Sequence, residues 1–412
     1  MAYDLFPLKA PRTAGWSLRL LVWLVNLPLV GRLLSDKFYN DMGIYLLRKE
    51  AVQLDLPMSL RMPSSSPAQG KEHSVQLNEL VELTSRTTGS FIPETAGDFY
   101  RAYMAGDTDP EAVAERIISA TLASENRSPS MGVFIAQDPD DIRKQAAESA
   151  ERYRNGQAIS PLDGVPVAVK DELDMLPYPT TVGARVFGQT AAAEDATVVR
   201  RLREKGALLI GKANMQEIGL GVTGLNPHYG PARNPFDPDR ATGGSSSGSA
   251  AAVAIGLCPI AVGADGGGSI RIPASLCGAV GLKPTFGRVS EHGASPLCWS
   301  VAHVGPIAST TVDCALAYSI MAGADPADIN TRHQPFPHLN EMTNTDLSGV
   351  KMGIYTSWFE DADSQVVTGC KDVITRLESL GAEVILMEID DLALLRISHL
   401  VTIASEMAAS QQ

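Results

Sequence analysis

Residues 242–290 read TGGSSSGSAAAVAIGLCPIAVGADGGGSIRIPASLCGAVGLKPTFGRVS, and this stretch constrains the fold more than any other. A Gly- and Ser-rich composition by itself describes a flexible linker. That reading fails here, because 250–256 and 258–263 are apolar runs that read as buried elements. The glycines punctuate packed structure instead. Gly266, Gly267 and Gly268 stand together immediately before Ser269. A backbone without Cβ approaches a ligand closely and takes unusual φ values. Its N–H groups can then converge on a developing oxyanion. Asp265 and Arg271 flank this turn, and a pair between them would hold it rigid.

The familiar phosphate and hydrolase motifs fit this segment poorly. A P-loop ending in G-K-[ST] is absent, and neither glycine cluster gives a clean G-x-G-x-x-G after a strand. Gly244–Gly248 spells G-x-S-x-G, which would make Ser246 a nucleophile on a strand-to-helix elbow. The preceding NPFDPDRATG reads as loop rather than strand, and no downstream His and acid are singled out. Lys170 closes the apolar run GVPVAVK at 164–170. A lysine there is ordinarily a snorkelling surface group. Buried, it loses charge more readily and can act as general base to a serine. The two serine-rich segments downstream favour the second reading.

Around these motifs the pattern is α/β. Asp109-Pro110 and Asp138-Pro139 each place an N-cap before a first-turn proline, opening helices over PEAVAERIISATLASEN and DDIRKQAAESAERYRNG. Strand GVPVAVK, helix ATVVRRLREKG and strand ALLIGKA follow. The unit recurs as strand KMGIYT, helix SQVVTGCKDVITRLESLG and strand AEVILMEI, and the chain ends in the helical pattern LALLRISHLVTIASEMAASQQ.

The first 50 residues differ from the rest. They carry seven Lys/Arg and four Asp/Glu, whereas the whole chain has a net charge of −13. So acidic a chain gets no general electrostatic help with nucleic acid, and none is expected as a partner. Residues 15–34, GWSLRLLVWLVNLPLVGRLL, are apolar and Trp-bearing, but two arginines and Pro28 interrupt them. A span needs ~20 predominantly apolar residues. Interfacial contact with a membrane suits the pattern best. A helical arm packed on the body or on a second subunit is the plainer alternative, and a true span a third. The Ser/Pro-rich stretch 62–76 reads as a linker, giving an arm at 1–61 and a body at 77–412. Five scattered cysteines without C-x-x-C, and seven scattered histidines without H-E-x-x-H, point away from disulfides and metal and fit a reducing compartment.

The set VPVAVKDELD, GKANMQEIGLG, YGPARNPFDPDRATGGSSSGSAA and GADGGGSIRIPASLCGAVGLKPTFGRVS resembles the amidase signature family of serine hydrolases. That resemblance implies a central mixed twisted sheet covered by helices on both faces. It implies a Ser–cis-Ser–Lys triad with no cofactor and no metal. Ser269 is then the nucleophile, Ser245 the bridging serine behind a cis peptide, and Lys170 the base. Gly266, Gly267, Gly268 and Ser269 form the oxyanion hole, with Ser246, Asp265 and Arg271 in support. GGSSSGSAA and DGGGSIR, together with the N-terminal arm, resemble the plant-type fatty acid amide hydrolases. This implies a lipid amide substrate such as an N-acylethanolamine, a homodimer, and an intracellular, membrane-peripheral location at the endoplasmic reticulum or plasma membrane. A cytoplasmic location is the alternative. Competing functions are a small-amide amidase, a glutamine-hydrolysing amidotransferase subunit, and an inactive lipid-binding or dimerising remnant. Those relatives run past Gln412, so the sequence reads as C-terminally truncated, with further sheet and part of the acyl channel missing.

Overall fold

The computed structural model describes residues 15–51, 77–82, 95–188, 190–335 and 344–411, with Leu5, Thr13, Pro337, Leu339 and Met342 as isolated positions. The linker expected at 62–76 lies outside the described residues. Two compact units divide the chain: Met1–Met62 with Glu341–Ser405, and Pro63–Asn340 with Glu406–Gln412.

The larger unit is built on a six-stranded mixed sheet. Its strands are β1 (Phe134–Ala136), β2 (Pro166–Lys170), β3 (Leu208–Ala213), β4 (Ile260–Ala264), β5 (Val280–Gly281) and β6 (Val304–Ala308), in the spatial order β1-β3-β2-β4-β6-β5. β2 lies parallel to both β3 and β4, with Val167 opposite Leu209 on one side and Ile260 on the other. β1, β6 and β5 add antiparallel at the flanks. Every residue of β2, β3, β4 and β6 is buried. Successive side chains of a strand point to opposite faces. Burial along the whole strand therefore means that helices and loops cover the sheet on both faces.

Local signals explain the helices. Asp109 accepts from the Ala112 N–H at 2.8 Å and opens the helix Pro110–Glu125. Asp138 accepts from Asp140 and Asp141 and opens Pro139–Arg154. The apolar stretch after the SSS run forms the helix Ser247–Ala254, which packs on β2, β3, β4 and β6 and is buried throughout its first seven residues. It leads directly into β4, so the segment that reads superficially as a linker is the centre of the core.

The smaller unit contains the recurring strand–helix–strand. β7 (Lys351–Ile354) and β8 (Glu383–Leu386) pair in parallel through the helix Ser364–Ser379. The same unit holds the helices Gly15–Val25 and Pro28–Asp41, bent by 109° at Asn26–Leu27. Pro28 sits in the first turn of the second helix, where its missing N–H costs nothing. At 11 and 14 residues and ~1.5 Å per residue, neither matches a hydrocarbon core of ~30 Å.

Candidate active site

Lys170, Ser245 and Ala264 converge at the carboxyl ends of the adjacent parallel strands β2 and β4, where open α/β sheets place their ligands, and the backbone of Ser269 joins them through Ser246. Lys170 is the last residue of β2 and is fully buried. Its Nζ lies 2.8 Å from Ser245 Oγ, 3.2 Å from the Ala264 carbonyl and 2.6 Å from Glu172 Oε2. Ser245 enters through a cis peptide bond from Gly244, just before the Ser247–Ala254 helix. Its carbonyl accepts from the Gln216 N–H at 3.0 Å.

Ser246 stitches the serine segment to the glycine turn. Its N–H donates to the Ser269 carbonyl at 3.1 Å, and its hydroxyl donates to the Ala264 carbonyl at 3.2 Å. Lys170 and Ser246 thus share one acceptor. In turn the Ala264 N–H donates to Ser246 Oγ at 3.3 Å. Ser269 is buried, with 9% of its surface exposed.

Asp265 organises the turn between β4 and Ser269. Its carboxylate accepts from the N–H groups of Gly268 at 2.6 Å and Ile270 at 3.1 Å. Arg271 clamps it from outside, with Nε and Nη2 each at 2.9 Å. Burial works against this charge. The Arg271 guanidinium and the backbone donors outweigh it and hold the carboxyl at about 2. Gly268 has φ +122°, a conformation that an L-side chain rarely adopts. Its N–H is directed to Asp265.

The loop after β2 is anchored by a second buried lysine. Lys212 on β3 donates to the Leu173 carbonyl at 2.5 Å and to Thr180 Oγ1 at 3.0 Å, and lies 3.4 Å from Asp171 Oδ1. Burial pushes its ammonium below the ordinary lysine value, and Asp171 opposes that. Asp171 also accepts from Thr181 and Gly183. Lys170 is therefore held between two fixed strands. Gln216 backs the opposite wall, where its Oε1 accepts from the Thr223 and Gly224 N–H groups at 3.1 and 3.0 Å.

The structure brings Lys170, Ser245 and Ser246 together and places Asp265, Gly266, Gly267, Gly268, Ser269 and Arg271 on the adjoining turn, but the Gly268 N–H, expected in the oxyanion hole, is taken by Asp265 Oδ1 at 2.6 Å. Sequence reading missed Glu172, Lys212 and Gln216. The latter two lie in GKANMQE, a segment that carries the resemblance as a whole and gives no role to its individual residues. A cleft of about 370 Å³, lined in part by Asp174, Thr180, Phe187 and Ser295, lies alongside, and the Ser295 N–H donates to the Glu172 carbonyl at 2.8 Å.

The amidase family model matches residues 116–411, which include every residue of this cluster. The chain belongs to the amidase signature family of amide-hydrolysing enzymes. It is 40% identical, over 97% of its length, to the fatty acid amide hydrolase of Oryza sativa subsp. indica, and spans 70% of that relative. It is 42% identical over 66% of its length to a glutamyl-tRNA(Gln) amidotransferase subunit of Carboxydothermus hydrogenoformans, 56% of which is covered. Among solved structures, the native peptide amidase of Stenotrophomonas maltophilia superposes with a TM-score of 0.72 at 30% identity, covering 77% of this chain and 66% of that one. The amidase signature fold expected from the motifs is thus the fold observed.

Proposed function

We propose that this amidase is a serine hydrolase of fatty acid amides, N-acylethanolamines among them, releasing free fatty acid and amine through an acyl-enzyme. Similarity to the rice protein along nearly the whole chain carries the substrate class. In this reading Lys170 Nζ takes the proton of Ser245 Oγ, Ser245 takes that of Ser269, and Ser269 Oγ attacks the amide carbonyl carbon. Backbone N–H groups of the turn from Gly266 to Ser269 receive the oxyanion in this reading, with Gly268 contributing through the shape of the turn, since its own N–H donates to Asp265 Oδ1 at 2.6 Å. Collapse breaks the C–N bond, and the proton returns through Ser245 to the departing amine. Water then cleaves the ester to give the acid and restores Ser269. The 2.8 Å contact between Lys170 and Ser245 supports the first transfer, being within hydrogen-bond reach for a base and its donor.

We read 77–412 as the catalytic domain and 1–61 as an arm that lies on a membrane surface through residues 15–34. Trp16, Trp23, Leu29 and Leu33 are all more than half exposed on that segment, which favours an interfacial role. A peripheral site at the endoplasmic reticulum or plasma membrane, and a homodimer, complete the proposal. The similarity to the bacterial amidotransferase favours one second reading, glutamine hydrolysis with partner subunits.

The deciding assay measures fatty acid release from a long-chain N-acylethanolamine, with Ser269→Ala as blank and glutamine as the competing substrate. Release that vanishes in Ser269→Ala supports the proposal. Ammonia release from glutamine without fatty acid release would replace it with the second reading. Deletion of residues 1–40 should abolish flotation with liposomes, and equal flotation would remove the membrane contact.

A further inference from the structure

Glu172 stands two residues beyond the lysine of the triad, and none of the roles above uses its side chain. Its Oε2 lies 2.6 Å from Lys170 Nζ, and the two side chains are 6% and 1% exposed. Three acceptors therefore surround the amine: Ser245 Oγ, the Ala264 carbonyl and Glu172 Oε2. A neutral amine has two N–H bonds and one lone pair. The Ala264 carbonyl and the Glu172 carboxylate can only accept, so they take the two N–H bonds. The lone pair is left facing Ser245, the one neighbour that can donate to it. After Lys170 has taken a proton, the same three acceptors saturate the ammonium. A buried carboxylate that orients a base and stabilises the cation formed on it is the role of the acid in Ser–His–Asp sites.

We propose that Glu172 is a positioning residue of the relay Ser269–Ser245–Lys170–Glu172, aiming the Lys170 lone pair at Ser245 and stabilising the ammonium formed during acylation. This rests on the acyl-enzyme reading above. The titratable surroundings are defined. Glu291 is pushed up to about 8 by burial and by the Asp328 and Glu172 carboxylates. The Cys298 thiol is pushed up to about 12 by burial and by Glu172, Glu291 and Glu406, with Lys170 opposing. Asp171 is occupied with Lys212, and Asp265 with Arg271. Among these groups, Glu172 is the one whose carboxyl oxygen meets Lys170 Nζ, at 2.6 Å.

The test is the rate at which a fluorophosphonate probe labels Ser269 in the full chain between pH 5 and 10. In that reaction Ser269 Oγ bonds to phosphorus, fluoride leaves, and the serine proton passes through Ser245 to Lys170. The readout needs no choice of amide substrate. Glu172→Gln keeps the size and one acceptor but removes the charge. Its plateau rate should fall by about 10- to 100-fold, at or below the low end of the ~10²–10⁴-fold supplied by a general acid–base group, because Glu172 acts through Lys170. The acid limb should move to lower pH by about one unit or more, because loss of a neighbouring negative charge favours the neutral amine. Glu172→Asp should recover part of the rate and the native limb, whereas Glu172→Asn should not. That matched pair carries the test if Glu172→Gln fails to fold. Equal rates and an unmoved limb in the folded variants would overturn the assignment while leaving the triad intact. Absence of Ser269 labelling in the unaltered chain would instead overturn the triad reading, and Glu172's role with it. Fatty acid release assayed in parallel separates either failure from a wrong substrate class.

Discussion

Asp265→Asn tests whether the nucleophile turn depends on charge or only on shape. The substitution keeps the outline of the side chain but converts one acceptor oxygen to an NH2 donor. On Oδ1 the carboxylate receives Gly268 N–H and Arg271 Nη2, and on Oδ2 it receives Ile270 N–H and Arg271 Nε. An amide can satisfy one side, and on the other it sets donor against donor. A carboxyl held at about 2 in the folded chain, against ~3.9 unfolded, carries roughly 2–3 kcal/mol at neutral pH. Because the folded value is the depressed one, that stabilisation is complete above about pH 4 and is lost as pH falls through about 2. Arg271 is half exposed, so water takes over its guanidinium when the partner is gone. This keeps the expected loss near about 2–3 kcal/mol rather than at the larger cost of a broken, fully buried pair. The assay is amide hydrogen exchange at Gly268, Ile270 and Arg271 at pH 7, which reads the turn locally in a chain of two units. Protection should drop by about 30- to 100-fold, since ~1.4 kcal/mol is tenfold. Ser269 labelling should slow in parallel. Protection within threefold of the unaltered chain would refute the claim that the ion pair holds the turn.

Two further outcomes follow from packing. Gly248→Ala would put a Cβ 2.3 Å from the Val133 carbonyl oxygen and 2.4 Å from the Asn214 N, both backbone atoms that cannot swing away. A destabilisation above about 4 kcal/mol and loss of soluble protein are expected, and a normal urea midpoint would refute this. Iodoacetamide at pH 8 should modify Cys370 well before the other four cysteines, which are buried. Cys258, Cys277 and Cys314 in addition have thiols pushed up to about 12, chiefly by burial. Peptide mass mapping reads the order, and early labelling at Cys258 would contradict the packing of β4.

Much of this arrangement was legible beforehand because its signals are local. Asp-Pro pairs mark two helix starts through one side-chain bond each. The long glycine–serine motifs place Ser245, Ser246 and Ser269, and the apolar runs between them are what an all-buried helix and strand require. Asp265 and Arg271 do meet across the turn, as their flanking positions suggested. Glu172 was missed because DELD after a strand reads as a solvated turn. The strand period of two, carried one step past Lys170, is the signal that places 170 and 172 on one side. Lys212 resisted for a different reason. Its partners, Leu173, Thr180 and Asp171, lie 32 to 41 residues earlier in the chain, and only the parallel pairing of β2 with β3 brings them to it. The bend at Asn26–Leu27 was signalled by Pro28, but its 109° angle was not.

The contact between Lys170 and Ser245 spans 75 positions of the chain. A ribosome adding ~5–20 residues per second needs several seconds to make that stretch. Throughout this interval Lys170 has been made and Ser245 has not, so the contact cannot form. Under the proposed mechanism the relay therefore cannot exist in the nascent protein before Ser245 has been made and brought to the end of β2. A cell synthesising such a chain would then meet no partly assembled relay on the way, because the topology keeps Lys170 and Ser245 apart until both are folded.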